Sequence, residues 1–190
     1  MSEFTPTWQQ PSHPDRLEVV PGDRPYSSSA RSLISLPAGA LFARITTATP
    51  APADTYTSVG DGVGSRIELN SDLVYCNHSC DPSLVFDMAL MEVRVADGRP
   101  LQAGDALTFF YPSSEWAMVQ PFRCECGAGE GRCLGWIAGA SQIELAVLGR
   151  YWLNYHIQEQ LGQKIYKDSS VKQQMRDTIT EGSAQESVRG

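Results

Sequence analysis

The amino-acid sequence predicts a mainly β domain of short sheets that ends in one α-helix. Gly and Pro are plentiful, at 16 and 12 of 190 residues, and they separate short apolar runs rich in β-formers. Apolar residues recur at three- and four-residue spacing over a long stretch only at 141–162, and no helices alternate with the strands. These three observations argue against a parallel α/β fold and favour short sheets joined by turns.

The chain divides into five parts in sequence order. Residues 1–16 are polar and Pro-rich, and we expect an irregular N-terminal arm. A strand-and-turn domain over 17–111 precedes a loop over 112–140 that holds cysteines and glycines. The predicted helix covers 141–162, and the polar remainder, 163–190, is predicted to be a flexible tail.

Each strand prediction within 17–111 rests on a β-rich run between turn residues. The runs are Leu17–Val20, 40–45, 56–59, 66–69, 84–86, 92–95 and 107–111. Between 56–59 and 66–69 lies Gly60-Asp61-Gly62-Val63-Gly64, which resembles a phosphate-binding loop only in its glycines. A dinucleotide site needs a helix after them, whereas a strand-like run follows here. The sequence therefore predicts a hairpin turn at 60–64.

The charge balance restricts the partners. Fifteen basic against 22 acidic residues give a net charge of −7, which argues against binding to a nucleic-acid backbone. A cationic partner or a neutral small molecule fits better. The first residues lack the basic and apolar regions of a secretory signal, and no apolar run is long enough for a membrane helix. We expect a cytoplasmic or nuclear protein that is not secreted and does not enter a membrane.

The five cysteines indicate metal binding rather than disulfides, because their number is odd and no secretion signal is present. Three of them form a C-x-C-x6-C cluster: Cys124, Cys126 and Cys133. Structural zinc takes four ligands, so the fourth must come from elsewhere. Cys80 is the natural candidate, with Cys76 and His78 as competitors. The alternative is a set of reduced thiols packed as small apolar side chains.

The segment Tyr75-Cys76-Asn77-His78-Ser79-Cys80-Asp81-Pro82 concentrates reactive side chains and allows three interpretations. Asn77-His78-Ser79 fits a glycosylation sequon, which has no role without secretion. A cysteine near histidine and aspartate fits a thiol nucleophile, although closeness in sequence is not the geometry of a catalytic triad. The third interpretation is a turn that lends Cys80 to the metal and places Asn77 and His78 in a polar pocket.

Taken together, these motifs resemble a known family. Asn77-His78-Ser79-Cys80, then Leu107-Thr108-Phe109-Phe110-Tyr111, then the cluster at 124–133 resemble, in that order, a SET domain followed by its post-SET zinc loop. The turn at 36–43 resembles a further motif of the same family. The resemblance covers about 17–140 and implies the β-clip fold of S-adenosylmethionine-dependent lysine methyltransferases.

The resemblance also implies roles for individual residues. The structural zinc ligands would be Cys80, Cys124, Cys126 and Cys133, with Cys76 left over. Asn77, His78 and Tyr75 would bind S-adenosylmethionine, and Tyr111 with His78 would serve the methyl transfer. The substrate would be a lysine in a basic protein or peptide, which the acidic chain would attract.

This sequence departs from the family pattern at several positions. The family's G-x-G is absent, and Ser27-Ser28-Ser29-Ala30-Arg31-Ser32 stands in its place. Phe110 replaces an acidic residue, and six residues rather than four separate Cys126 from Cys133. These departures leave an alternative: a SET-like scaffold that has lost its cofactor. Such a scaffold would catalyse a small-molecule cyclisation or rearrangement, or would serve as a binding module.

Overall fold

The computed structural model describes residues 5–24 and 26–169. The strands of this part are β1 (Leu17–Val20), β2 (Ser29–Ser32), β3 (Leu41–Arg44), β4 (Thr49–Pro50), β5 (Ser58–Gly62), β6 (Ser65–Glu68), β7 (Asn77–His78), β8 (Leu84–Asp87), β9 (Glu92–Val95), β10 (Thr108–Phe109), β11 (Phe122–Arg123) and β12 (Trp136–Ile137). Its helices are the 3-10 helices Asp72–Tyr75, Tyr111–Ser113 and Ala140–Gln142, then α1 (Leu145–Leu148) and α2 (155–169).

The strands form five small sheets, as expected for a mainly β chain with short runs. Two sheets have three antiparallel strands, in the orders β3-β9-β8 and β4-β6-β5. The pairs β1-β2 and β11-β12 are also antiparallel. A hairpin is confirmed at the predicted 60–64, because β5 and β6 pair antiparallel, but its turn is only Val63-Gly64, since 60–62 belong to β5. The mainly β fold class with a C-terminal helix is likewise confirmed.

The fifth sheet is the parallel pair β7-β10, and it positions the site. Thr108 lies opposite Asn77, and Phe109 lies opposite His78. The backbone N–H of Ser79 extends the pairing by donating to the carbonyl of Phe109 at 3.0 Å. Two segments about thirty residues apart in sequence are therefore fixed side by side.

An apolar core supports this pair from beneath. Phe86 and Phe109 stack with ring centroids 4.2 Å apart, and Phe86 is fully buried. Leu84 and Val93 come from the neighbouring strands β8 and β9 and are buried as well. Burying side chains of this size contributes about 2 kcal/mol each. The core therefore holds β10 rigidly, and with it the residues that follow.

The helix predicted at 141–162 is wrong in its middle. The structure has a single turn at Leu145–Leu148, then non-helical residues, and then α2 from 155. Gly149, a poor helix former, ends the first turn. Asn154 interrupts the helical pattern because its side chain binds the Phe86 and Ser113 carbonyls, both at 3.0 Å. Tertiary hydrogen bonds therefore override the local periodicity.

The chain forms two compact units, Met1–Ile157 and Gln158–Gly190. In the second unit, 158–169 is helical, so the helix continues into the first seven residues of the predicted tail, 163–169. Gln163 donates to the Glu159 carboxylate one turn earlier at 3.4 Å, a pair that supports helix. The rest of that prediction, 170–190, lies outside the described residues. Within the described part, no helix is long and apolar enough to cross a membrane.

Candidate active site and metal centre

The parallel pair β7-β10 gathers the predicted site residues along one cavity. The 3-10 helix Asp72–Tyr75 leads into β7, and the 3-10 helix Tyr111–Ser113 follows β10 directly. As a result Tyr75, Asn77, His78 and Tyr111 all line a cavity of about 1080 Å³. Ligand pockets of drug-sized molecules span roughly 300–1,000 Å³, so this cavity has room for two small groups at once.

Three other segments complete the cavity wall. They are the loop containing Gly22 and Tyr26, the segment 55–59 with its neighbour Arg66, and the loop 118–126 next to the cysteine cluster. Tyr26 and Tyr56 meet edge to face at the rim, with ring centroids 4.4 Å apart. The wall is therefore rich in aromatic rings, which attract cations through their faces.

Tyr111 presents a protonated hydroxyl to the cavity. The hydroxyl donates to the Cys76 carbonyl at 3.3 Å, which fixes its direction. Burial raises the pKa of Tyr111 well above its usual range, and neighbouring groups, Cys76 and Glu115 first among them, raise it further. The side chain is therefore a neutral hydrogen-bonding group at any working pH rather than a base.

His78 is buried between Tyr111 and the cysteine cluster. Its Nδ1 accepts the backbone N–H of Tyr111 at 3.2 Å, and its Nε2 lies 3.4 Å from Cys80 Sγ. Burial lowers the pKa of His78 to about 4, so the ring is neutral near pH 7. Both ring nitrogens thus have partners within the protein, and the ring acts as a spacer between the two neighbours.

Asn77 links the cavity to the segment where the family pattern has its glycines. Its side-chain amide donates to the Ser28 carbonyl at 3.1 Å. A turn before Ser28 is closed tightly, because a Cβ added at Gly22 would lie 1.9 Å from Ser27 Oγ. Ser28 lines the cavity together with Asn77, and its small side chain obstructs a ligand less than a larger one would. The residues present therefore fit a cofactor on this side of the cavity.

The four cysteines named as zinc ligands come together. The sulfur atoms of Cys80, Cys124, Cys126 and Cys133 all lie within 4.8 Å of one another. Cys80 Sγ and Cys124 Sγ are 3.9 Å apart. Tetrahedral zinc with Zn–S bonds of about 2.3 Å requires sulfurs about 3.8 Å apart, so the arrangement fits the ion.

The glycine-rich segment after Cys126 makes this convergence possible. Gly127 and Gly129 have φ values of 69° and 85°, in the left-handed region that favours glycine. The chain folds back through them, and the Cys133 N–H reaches the Gly129 carbonyl at 3.1 Å. The longer gap of six residues therefore still returns Cys133 to the cluster.

The thiols in the cluster differ in how readily they ionise. Burial raises the pKa of Cys80 to about 11. Burial opposes ionisation of Cys126 as well, but backbone N–H groups of Cys80 and Ala128 outweigh it and lower the pKa of Cys126 to about 7. Zinc binds thiols in their ionised form, so a bound zinc ion would favour ionisation of all four thiols.

Cys76 lies outside the cluster, in the apolar core. Its side chain is buried, and burial raises the pKa of the Cys76 thiol far above its usual range. An inert, protonated thiol of this kind is neither a nucleophile nor a metal ligand. His78 approaches the cluster only through its contact with Cys80 and is not part of the four-sulfur group.

Phe110, which replaces an acidic residue of the family pattern, has a packing partner. It stacks on Tyr151 with ring centroids 3.7 Å apart and planes within 6°. The Tyr151 hydroxyl donates to the Cys80 carbonyl at 3.0 Å. The segment after α1 therefore covers both the strand that leads to Tyr111 and the turn that carries Cys80.

Three charged residues near the cavity have no counterpart in the sequence predictions. Glu115 and Arg66 form an ion pair of 2.7 Å in the cavity wall. Asp72 is fully buried. Its carboxylate accepts three hydrogen bonds from the N-terminal arm, from Trp8 Nε1 at 2.8 Å, Gln10 Nε2 at 2.6 Å and the backbone N–H of Ser12 at 2.7 Å. No local motif marks these residues, since their partners are about fifty to sixty residues away.

Comparison with known proteins gives an extensive similarity. The chain is 64% identical over 164 residues to methyltransferase flvH of Aspergillus flavus, which covers 86% of this chain and 91% of that protein. No family model matches the chain.

Shorter similarities connect the chain to larger enzymes. It is 33% identical over 79 residues to a histone-lysine N-methyltransferase, H3 lysine-36 specific, of Debaryomyces hansenii, which covers 39% of this chain and 10% of that protein. The protein with the same description from Chaetomium globosum is 34% identical over 76 residues, which are 38% of this chain and 8% of that protein. These matches support a SET-like relation for part of the chain.

Proposed function

Because the chain belongs to the family of the Aspergillus flavus methyltransferase flvH, we propose that it is a SET-domain methyltransferase that moves a methyl group from S-adenosylmethionine to a lysine amine of a protein or peptide. The observation that carries the proposal is the meeting of Asn77, His78 and Tyr111 along one cavity beside four convergent cysteines. The similarity to lysine methyltransferases over part of the chain supports the choice of lysine.

In this proposal one side of the cavity holds the cofactor. Asn77, the backbone of His78 and the ring of Tyr75 would contact it, with Ser28 close by. Bound S-adenosylmethionine supplies an electrophilic methyl group on a sulfonium. The aromatic rings of Tyr75 and Tyr111 favour a positive charge at this place.

Tyr111 orients the amine in this proposal. Its hydroxyl is protonated, fixed toward the Cys76 carbonyl and held by the core beneath β10. A hydroxyl and a carbonyl beside each other can direct the amine lone pair toward the methyl group. Alignment of this kind supplies a large part of the catalysis of such transfers.

Zinc has a structural part in this proposal. Cys80, Cys124, Cys126 and Cys133 would hold the ion, which fastens the loop 118–126 as one wall of the cavity. The acidic chain, with a net charge of −7, favours a basic substrate. The methyltransferase name of the relative favours this function over the scaffold without cofactor.

The test is direct methyl transfer. The purified chain is incubated with S-adenosylmethionine and a basic peptide with one lysine, and methylation is read by mass spectrometry. We expect methylation of the lysine and none of a peptide with arginine in its place. A parallel sample with free lysine, or with a simple alkyl amine, separates peptide recognition from recognition of the amine alone. No transfer to any of these acceptors contradicts the proposal.

A further inference from the structure

A buried ion pair in the cavity wall joins two segments that the proposed chemistry depends on. Arg66 Nη1 and Glu115 Oε2 are 2.7 Å apart, and their side chains are only 16% and 8% exposed. Both residues line the cavity that also holds Tyr111. Buried ion pairs contribute little net stability, because removing two charges from water costs nearly what their attraction returns. The position of this pair therefore calls for another explanation.

All three guanidinium nitrogens of Arg66 have partners at the cavity rim. Its Nε lies 2.9 Å from Ser58 Oγ and 3.1 Å from an Asp54 carboxylate oxygen. Its Nη2 donates to the Ser58 carbonyl at 2.7 Å. One side chain thus holds the segment 54–58, which carries the rim residue Tyr56, and reaches across to Glu115. A lysine, with a single nitrogen, cannot reproduce this planar set of donors.

Glu115 connects the same rim to the Tyr111 turn. Its backbone N–H donates to the Tyr111 carbonyl at 3.0 Å, which closes the turn. Its Oε1 accepts the backbone N–H of Gly60 at 2.9 Å. The two backbones are in direct contact there, since a Cβ at Gly60 would lie 2.3 Å from the Ser114 carbonyl oxygen.

We propose that Arg66 and Glu115 are positioning residues that clamp the Tyr111 turn against the hairpin β5-β6 and so set the width of the amine-binding part of the cavity. This inference rests on the proposed function for its catalytic meaning, although the clamp itself is independent of it. The hydrogen bonds of Arg66 and Glu115 do not involve Asn77 or Ser28, which lie on the cofactor side of the cavity. The clamp therefore governs the placement of the amine and leaves cofactor binding unaffected.

Arg66→Lys tests the clamp with charge and length nearly kept. With S-adenosylmethionine and the lysine peptide, we expect kcat to fall by about tenfold to a hundredfold, because a misplacement of about 1 Å can cost that much. Calorimetry should give an unchanged cofactor Kd. Hydrogen exchange should become faster at 54–60 and 111–115 and stay the same at 17–32.

Two further variants keep the test decisive. Glu115→Gln should give the same pattern, since its amide can still accept from Gly60 but faces Arg66 with a donor. Arg99→Lys is the matched control, because Arg99 pairs with Asp105 at 3.6 Å outside the cavity lining, and it should behave like the unaltered chain. Thermal unfolding confirms that each variant is folded.

The outcomes separate this inference from the proposed function. The clamp is overturned if Arg66→Lys and Glu115→Gln both match the unaltered chain in kcat, in methylation state and in hydrogen exchange. A cofactor Kd that weakens in step with kcat overturns it too, since that indicates general loosening. If the unaltered chain transfers no methyl group, the proposed function fails. Hydrogen exchange then still decides the clamp, because faster exchange at 54–60 and 111–115 supports it and unchanged exchange overturns it.

Discussion

The backbone N–H of Tyr111 donates to Nδ1 of His78 at 3.2 Å. Because Nδ1 accepts, the neutral ring carries its proton on Nε2, and this N–H faces Cys80 Sγ at 3.4 Å. The ring therefore couples a zinc ligand to the backbone of the residue proposed to orient the amine. Cysteine cluster and cavity form one structural unit, so disturbance of the cluster reaches Tyr111.

Removal of the metal is expected to abolish activity together with the cavity wall. Cys124→Ser should lower the zinc content from about one ion per chain to near zero and lower Tm, because structural zinc contributes to folding outright. Metal analysis by mass spectrometry and thermal unfolding measure both effects. Cys76→Ala is the control for zinc content, since Cys76 lies outside the cluster. A full zinc content in Cys124→Ser, or none in the unaltered chain, contradicts the four-sulfur site.

Tyr111→Phe removes one hydroxyl and keeps the ring. The lost hydrogen bond to the Cys76 carbonyl should cost about 1 kcal/mol of stability. The rate of methyl transfer should fall about a hundredfold, as for loss of one oriented hydrogen-bonding group at a reacting centre. Single-turnover kinetics and urea unfolding give the two numbers. Tyr155→Phe, at an exposed ring, serves as the control. If Tyr111→Phe and Tyr155→Phe transfer methyl groups at the same rate, the Tyr111 side chain serves only packing.

Asp72 should make stability depend on pH. Burial alone would raise its pKa, but hydrogen bonds from Trp8, Gln10 and Ser12 outweigh this and lower the pKa below the ordinary value of 3.8. A depressed folded-state pKa means that the stabilisation is complete above 3.8 and is lost as the pH falls through the folded value. Asp72→Asn should therefore cost about 1–3 kcal/mol near pH 7.

The difference between Asp72→Asn and the unaltered chain should narrow once the pH falls below 3.8. Urea unfolding at neutral and acidic pH measures this difference. Asp15→Asn alters an exposed carboxylate of the same arm and should change stability by less than about 0.5 kcal/mol at either pH. A pH-independent gap for Asp72→Asn is incompatible with the charged, hydrogen-bonded carboxylate.

Phe110→Asp restores the residue type of the family pattern and should nevertheless destabilise this chain. Phe110 is 3% exposed and stacks on Tyr151, so an aspartate there would be buried without a partner. We expect a loss of more than about 3 kcal/mol in urea unfolding, against about 1 kcal/mol for Phe110→Leu. If Phe110→Asp is as stable as Phe110→Leu, the stacking does not explain the departure.

The sequence was sufficient where local chemistry decides. Glycines between two β-rich runs predicted the hairpin at 60–64, and the structure pairs β5 with β6 there. Cysteine spacing predicted a metal cluster but left its fourth ligand open. The resemblance selected Cys80 as the fourth ligand, and its sulfur lies within 4.8 Å of the other three.

Long-range contacts account for what the sequence did not predict. The helical periodicity at 141–162 is real, but Asn154 binds the distant carbonyls of Phe86 and Ser113, and the helix is interrupted there. Arg66 and Glu115 are ordinary charged residues in sequence, 49 positions apart, and only the fold makes them a buried pair. Such contacts carry no periodic or spacing pattern that a single sequence can reveal.

Calorimetric titration of the zinc-loaded chain with S-adenosylmethionine tests the central claim most directly, because the serines at 27–29 stand where the family pattern has its glycines. We predict saturable binding of one cofactor per chain with a micromolar-scale Kd, about −8 kcal/mol. Asn77→Ala should weaken this binding at least about tenfold, which is about 1.4 kcal/mol. An absence of heat at millimolar cofactor, with the chain folded and zinc bound, would contradict the account.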